Sequence, residues 1–189
     1  MAATTRDRMI DAAIDALRTK GVAGMSFTAV LESSGAARGA IYHHFPGGKT
    51  ELVATAAARN GDQVRELLAA LPADDPLSLV EAFLDLVRPV VACSAEGAGC
   101  AVAAVTVDPD SGELRTVAAT AFDSWTTTLA GRLTAAGVEP VAAGDLATTL
   151  LTLLQGAHVL CRAEGTIAPF DRMARTATDL VRHRFEAPS

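Results

Sequence analysis

From Arg6 to Lys20 the apolar side chains Met9, Ile10, Ala13, Ile14 and Leu17 recur at three- and four-residue steps. That spacing gathers them on one face of a helix. Gly21 follows at the place where a helix end takes a left-handed residue. Ser26 then stands ahead of Phe27 to Ser34, so a short second helix is predicted, capped by Ser26, with Val30 and Leu31 inward and Gly35 at its end. A third helix is predicted from about Ala37 to Phe45, and Pro46-Gly47-Gly48 breaks the chain.

The rest of the chain reads as longer helices. Lys49 opens one that runs to about Leu71 with Leu52, Val53, Ala56, Val64, Leu67 and Leu68. After a polar turn from Pro72 to Pro76, Leu79, Val80, Phe83, Leu84 and Val87 mark a fifth helix, which Pro89 is expected to kink or end. Ala95 to Gly99 reads as a small-residue loop. The β-branched run from Cys100 to Val107 fits a helix or a strand equally. Asp108 and Pro109 suit the N-cap and first position of a helix that reaches Ala136 and stops at Gly137. Two more helices are predicted, from about Val141 to Glu164 and from Pro169 to near Phe185. The expected fold is therefore all-α with about nine helices, three in an N-terminal head and six in a larger body.

Composition narrows the possibilities. Half of the 189 residues are apolar, enough for a sizeable core. The three cysteines, Cys93, Cys100 and Cys161, form no CxxC pair, which argues for a reducing cytoplasm and against a disulfide framework or zinc site. The first residues carry charge from Arg6 onward and lack the apolar core of a signal peptide. The stretch from Leu146 to Cys161 is shorter than the ~20 residues of a membrane span and holds Thr148, Gln155 and His158, so no membrane association is expected. Net charge is −6, but it is unevenly spread. Residues 1–50 carry Arg6, Arg8, Arg18, Lys20, Arg38 and Lys49 against Asp7, Asp11, Asp15 and Glu32, a balance of +2 that leaves −8 for the remainder. A basic head on an acidic body suits a protein that meets a polyanion with one end.

The chemistry concentrates in Arg38-Gly39-Ala40-Ile41-Tyr42-His43-His44-Phe45, followed by Pro46-Gly47-Gly48-Lys49. At 100° per residue Ile41 and Phe45 share one side and can pack inward. Gly39, Ala40 and His43 then face outward, with Arg38 and Tyr42 on one flank. Such a helix is slim at its centre and carries hydrogen-bonding groups at its edges, which is what entering the major groove of a duplex requires. Two short helices joined by a Gly-containing turn are the helix-turn-helix pattern. Arg38 is the expected base reader, able to donate two hydrogen bonds to guanine O6 and N7. Tyr42 and His43 are expected on phosphates, as is Lys49 at the start of the fourth helix. Ser26 and Thr28 are expected to hold another phosphate at the start of the second. His43 and His44 are neighbours and point about 100° apart, so they do not chelate one metal.

Taken in order, these residues resemble the DNA-binding domain of the TetR family of bacterial repressors. Gly39 through Lys49 is similar to the family's G-x-[IL]-Y-x-[HY]-F segment and following lysine. The spacer before Lys49 is one residue longer than the commoner form and resembles the lincomycin- and multidrug-resistance repressors. Gly99-Cys100 and the small apolar run after it resemble the same subgroup. Ala36 and Ala37 depart from the family, which usually has a Ser or Thr cap there.

The resemblance implies a homodimer on double-stranded operator DNA, a small-molecule pocket in the body, and no cofactor. The division implied is a helix-turn-helix domain over residues 1–48 and a ligand-binding and dimerisation domain over 49–189. Leu150 and Leu154 of the nearly all-apolar helix, with the Met173, Ala177, Leu180 and Val181 stripe, are the expected dimer interface. Phe83, Val87, Cys100, Phe122, Trp125, Gln155 and His158 mix aromatic bulk with polar groups and are candidates to line a pocket for a lipophilic effector. Three other readings stay open: an enzyme, for which no nucleophile elbow, phosphate loop or metal spacing is found, a DNA-binding regulator without a ligand, and a redox sensor through Cys100.

Overall fold

The computed structural model describes residues 3–107 and 112–185. Among them the chain forms α1 (Thr5–Gly24), α2 (Phe27–Ser34), α3 (Ala40–His44), α4 (Gly48–Ala69), α5 (Pro76–Ala95), α6 (Ala101–Ala104), α7 (Gly112–Ala135), α8 (Pro140–Glu164) and α9 (Ala168–Phe185), with a 3₁₀ turn at Val105–Val107 and no strand. The all-helical class is as expected. The Asp108-Pro109 start of the seventh helix lies outside the described residues. No helix among the described residues is long and apolar enough to cross a membrane.

Two compact units divide the chain, with boundaries inside α4 and α7. The first comprises residues up to Gln63 together with Cys100–Phe122. Here α1 packs on α2 and α6, and Met9, Ile10, Ala13, Ile14 and Leu17 are all buried, as their spacing predicts. Thr4 and Asp7 form a capping box: Thr4 Oγ1 accepts from the Asp7 amide at 3.1 Å, and the Asp7 carboxylate accepts from the Thr4 amide at 3.2 Å. At the other end Gly21, with φ 66° and ψ −177°, breaks the helical path, so the regular helix stops at Lys20. Arg8 Nε donates to the Ser34 carbonyl at 3.0 Å and ties α1 to the end of α2. Arg59 of α4 donates to Asp7 at 2.8 Å and fixes α4 on α1.

The second unit comprises Val64–Gly99 and the chain from Asp123 onward. In it α5, α8 and α9 pack on one another. Their core joins Leu79, Val80 and Phe83 of α5, Leu150, Leu151 and Leu154 of α8, and Phe170 and Val181 of α9. Each large side chain so buried contributes about 1.5–3 kcal/mol. Arg88 of α5 pairs with Asp171 of α9 at the edge. Inside, the Ser94 hydroxyl and His158 Nδ1 lie 2.7 Å apart, a buried polar link between α5 and α8.

Two open readings are decided and one expectation needs correction. Pro89 does not end α5, which continues to Ala95. Pro89 stands on the exposed face of α5, and buried Phe83, Leu84 and Val91 hold the turns on either side, so packing outweighs the missing backbone bond. The run after Cys100 is a short helix and a 3₁₀ turn, not a strand, and Cys100 Sγ accepts from the Ala103 amide at 3.4 Å as its cap. The third helix starts at Ala40 rather than near Ala37, because no side chain caps it earlier.

Candidate nucleic-acid interface

Ser26 has extended backbone and its Oγ accepts from the Ala29 amide at 3.2 Å, so it caps α2 as its residue type predicts. The hydroxyl proton is left to donate outward. Thr28 is exposed two residues on. Val30 and Leu31 anchor α2 in the core, and Gly35 at φ 65° ends it in the left-handed region open to glycine.

The turn that follows sets the exposed surface. The Ala40 amide donates to the Ala37 carbonyl at 2.9 Å, which folds Ala37 to Ala40 into a tight turn. Arg38 and Gly39 therefore sit in this turn and not inside the helix. Gly39 is the N-cap of α3, with φ −74° and ψ −18°, and a Cβ built on it meets no atom within 4 Å. Ile41 and Phe45 are the anchors, 1% and 0% exposed. Arg38, Gly39, Tyr42 and His43 are exposed and Ala40 is half-buried. Tyr42, 67% exposed, is held by an edge-on contact with Phe27, ring centres 6.1 Å apart. The sequence did not signal that contact. Arg6 stacks its guanidinium 5.2 Å from the Phe45 ring and adds a cation to the same unit.

Lys49 is half-buried in the first turn of α4. It shares a groove of about 460 Å³ with Lys20, Gly21 and Val53. The Glu51 carboxylate accepts from the Gly47 amide at 2.7 Å, so one backbone donor at this helix start already has an anion.

The candidate pocket residues belong to both units. Phe83, Trp125 and His158 are buried, Val87 and Gln155 are half-buried, and these five belong to the second unit. Cys100 and Phe122 are half-buried and belong to the first. The groove between α5 and α9 is lined by none of the seven, but by Glu81, Leu84, Arg175, Arg182 and their neighbours. The interface candidates also divide. Leu150, Leu154, Ala177 and Val181 are buried within the chain, and Met173 is half-buried. Leu180 is exposed at 65%. Instead α8 presents Thr149, Thr152, Leu153, Gly156, Val159 and Leu160 to solvent at helical spacing, with no charged residue among them.

Comparison with known proteins agrees with this architecture. Residues 9–56 match the model of bacterial regulatory proteins of the tetR family, and residues 76–176 match that of the C-terminal domain of LmrA/YxaF-like transcriptional regulators. An uncharacterised HTH-type transcriptional regulator of Mycobacterium tuberculosis is 33% identical, over 93% of each chain. The HTH-type transcriptional regulator LmrA of Bacillus subtilis is 23% identical, over 94% of this chain and 97% of its own. A TetR transcriptional regulator from Legionella pneumophila has the same fold, with a TM-score of 0.82 at 19% identity over 95% of this chain and 97% of that one. A cysteine-substituted CifR, solved with a 26 bp operator duplex, superposes with a TM-score of 0.70 at 23% identity over 95% and 97%. With its head and most of its body matched in this way, the chain belongs to the tetR family of bacterial regulatory proteins, as a DNA-binding helix-turn-helix transcriptional regulator of the LmrA/YxaF-like kind.

Proposed function

We propose that the protein is a homodimeric repressor that sets the turn and helix from Arg38 to His44 into the major groove at each half of a palindromic operator, and that a small lipophilic effector releases it. The observation that carries this reading is the split of one short segment: Ile41 and Phe45 are buried while Arg38, Gly39, Tyr42 and His43 are exposed together. Arg38 donates to a guanine, and Ser26, Thr28, Tyr42, His43 and Lys49 hold the phosphates that fix the register. The operator complex of CifR supports DNA as the partner. Residues 1–48 act as the reading head and 49–189 as the body.

The uncharged face of α8 supports the dimer. Gly156 lies at its middle with open space where a Cβ would stand, so a second α8 can approach closely there. Leu153, Val159, Leu160 and Leu180 of α9 supply the apolar area, and two helices from each copy make a four-helix interface. Two heads held about 34–36 Å apart, or a multiple of that, meet successive turns of one duplex face. An effector weakens binding only if it favours a spacing that the duplex does not. The cytoplasm is the compartment where such a regulator meets its operator.

Selection of bound duplexes from a random pool tests the reading. A palindromic consensus reports both the base preference and the dimer, whereas recovery of no consensus at moderate salt overturns it. A thermal-shift screen with lipophilic drugs tests the effector, since a ligand that binds the folded state raises the melting temperature. A true effector must also lower operator affinity, and a screen in which no stabilising compound does so leaves a regulator without a ligand.

A further inference from the structure

The exposed side of the helix-turn-helix carries one carboxylate. Between Asp15 and Glu51 the sequence has no acidic residue except Glu32. Glu32 lies on α2 one turn after Thr28, so the two share a face. Both line a groove of about 560 Å³ together with Arg38 and Tyr42, over a floor that includes Leu31 and Ile41. Glu32 and Arg38 are both exposed. Among the described residues no cation comes within 4.0 Å of the Glu32 carboxylate and no anion within that distance of Arg38. A strong acceptor and a forked donor thus stand uncommitted in one groove.

A free carboxylate on a surface that meets a polyanion weakens every complex equally unless it finds a donor. Phosphates and sugar oxygens offer it none. In the major groove the donors are the amino groups at cytosine N4 and adenine N6, while guanine O6 and thymine O4 are acceptors that a carboxylate repels. We propose that Glu32 is a specificity-determining residue: it accepts a hydrogen bond from a base amino group beside the base held by Arg38, and it rejects sequences that place a carbonyl oxygen there. Arg38 selects an acceptor pair and Glu32 selects a donor, so one groove reads two chemically opposite edges. This rests on the operator reading above and adds a second reader on a different helix.

The test is duplex selection from a random pool with the wild-type chain and with E32A and E32Q, together with affinity for a random duplex. Alanine suits an exposed position inside a helix, so E32A should melt as the wild type does. The wild type should require cytosine or adenine at one position in each half-site. E32A should lose that requirement, about tenfold in discrimination, keep the Arg38-dependent guanine, and bind random duplex more tightly because a like charge is gone. E32Q, whose amide both accepts and donates, should admit guanine or thymine at the same position. Identical preferences in wild type and E32A at every position overturn the proposal, as does an equal loss at all positions. A wild-type chain with no preferred sequence fails differently: it overturns the operator reading itself, and the role of Glu32 with it.

Discussion

Replacing Gly39 by alanine should separate the fold from its function. Gly39 has a backbone that alanine adopts without strain, φ −74° and ψ −18°, and a Cβ there meets nothing within 4 Å. Restricting the unfolded chain stabilises by about 0.4–1 kcal/mol. Losing glycine at an N-cap costs a similar amount, roughly 0.5–1 kcal/mol. The two offset, so the melting temperature should hardly move. Binding is another matter, because the open space is the space a duplex has to enter. A methyl group between the turn and the base edges holds Arg38 back from its guanine, and one direct contact is worth about 1–3 kcal/mol. Affinity for the selected duplex should fall roughly 5- to 150-fold, measured by fluorescence anisotropy, while affinity for random duplex changes little. Gly35→Ala is the contrasting control. Gly35 stands at φ 65°, where a side chain costs about 1–2 kcal/mol, so that variant should lose stability first. If Gly39→Ala binds its operator as tightly as the wild type, the close approach assigned to this turn is wrong.

Other consequences follow from the same geometry. Arg38→Ala should lower affinity for the selected duplex by about 1–3 kcal/mol with little loss on random sequence; equal losses on both would make Arg38 a phosphate contact. Val159→Arg or Leu160→Arg places a charge on the uncharged face of α8, where both residues are more than half exposed. Light scattering should then report monomers with an unchanged helical circular dichroism signal, and an intact dimer removes this face from the interface. Asp7 is held below its usual carboxylate range by hydrogen bonds from Thr4 and then from Arg59. Its contribution to stability is therefore present above the unfolded value of 3.8 and is lost as pH falls below it. Asp7→Asn should melt lower than the wild type at neutral pH, with the gap narrowing as the pH falls below 3.8, and a gap independent of pH would assign the loss to something other than the charge.

What the sequence made legible, and what it did not, has a common physical cause. Local rules governed the head. The stripe from Met9 to Leu17, the Ser26 cap and the left-handed Gly35 each depend on residues a few positions apart, and each appears where the pattern puts it. The inward Ile41 and the outward Tyr42 and His43 followed from a 100° step, whereas Arg38 is exposed because it sits in the turn before α3. Periodicity did not reveal that Glu32 shares a groove with Arg38, because that pairing belongs to the packing of α2 against the turn before α3. The body fails for a similar reason. Along α8 Leu150, Leu153, Leu154 and Leu160 are chemically alike, so hydropathy cannot say which of them face α5 and α9. Packing decides it: Leu150 and Leu154 are buried, and Leu153 and Leu160 are exposed. Within the stripe of α9, Ala177 and Val181 close the core of their own chain, while Leu180 is left exposed. An apolar stripe reports that a helix face needs cover and is silent on whether the cover comes from the same chain or from a second copy. Only the apolar residues left uncovered after the core has closed, here Leu153, Val159, Leu160 and Leu180, bear on the second possibility.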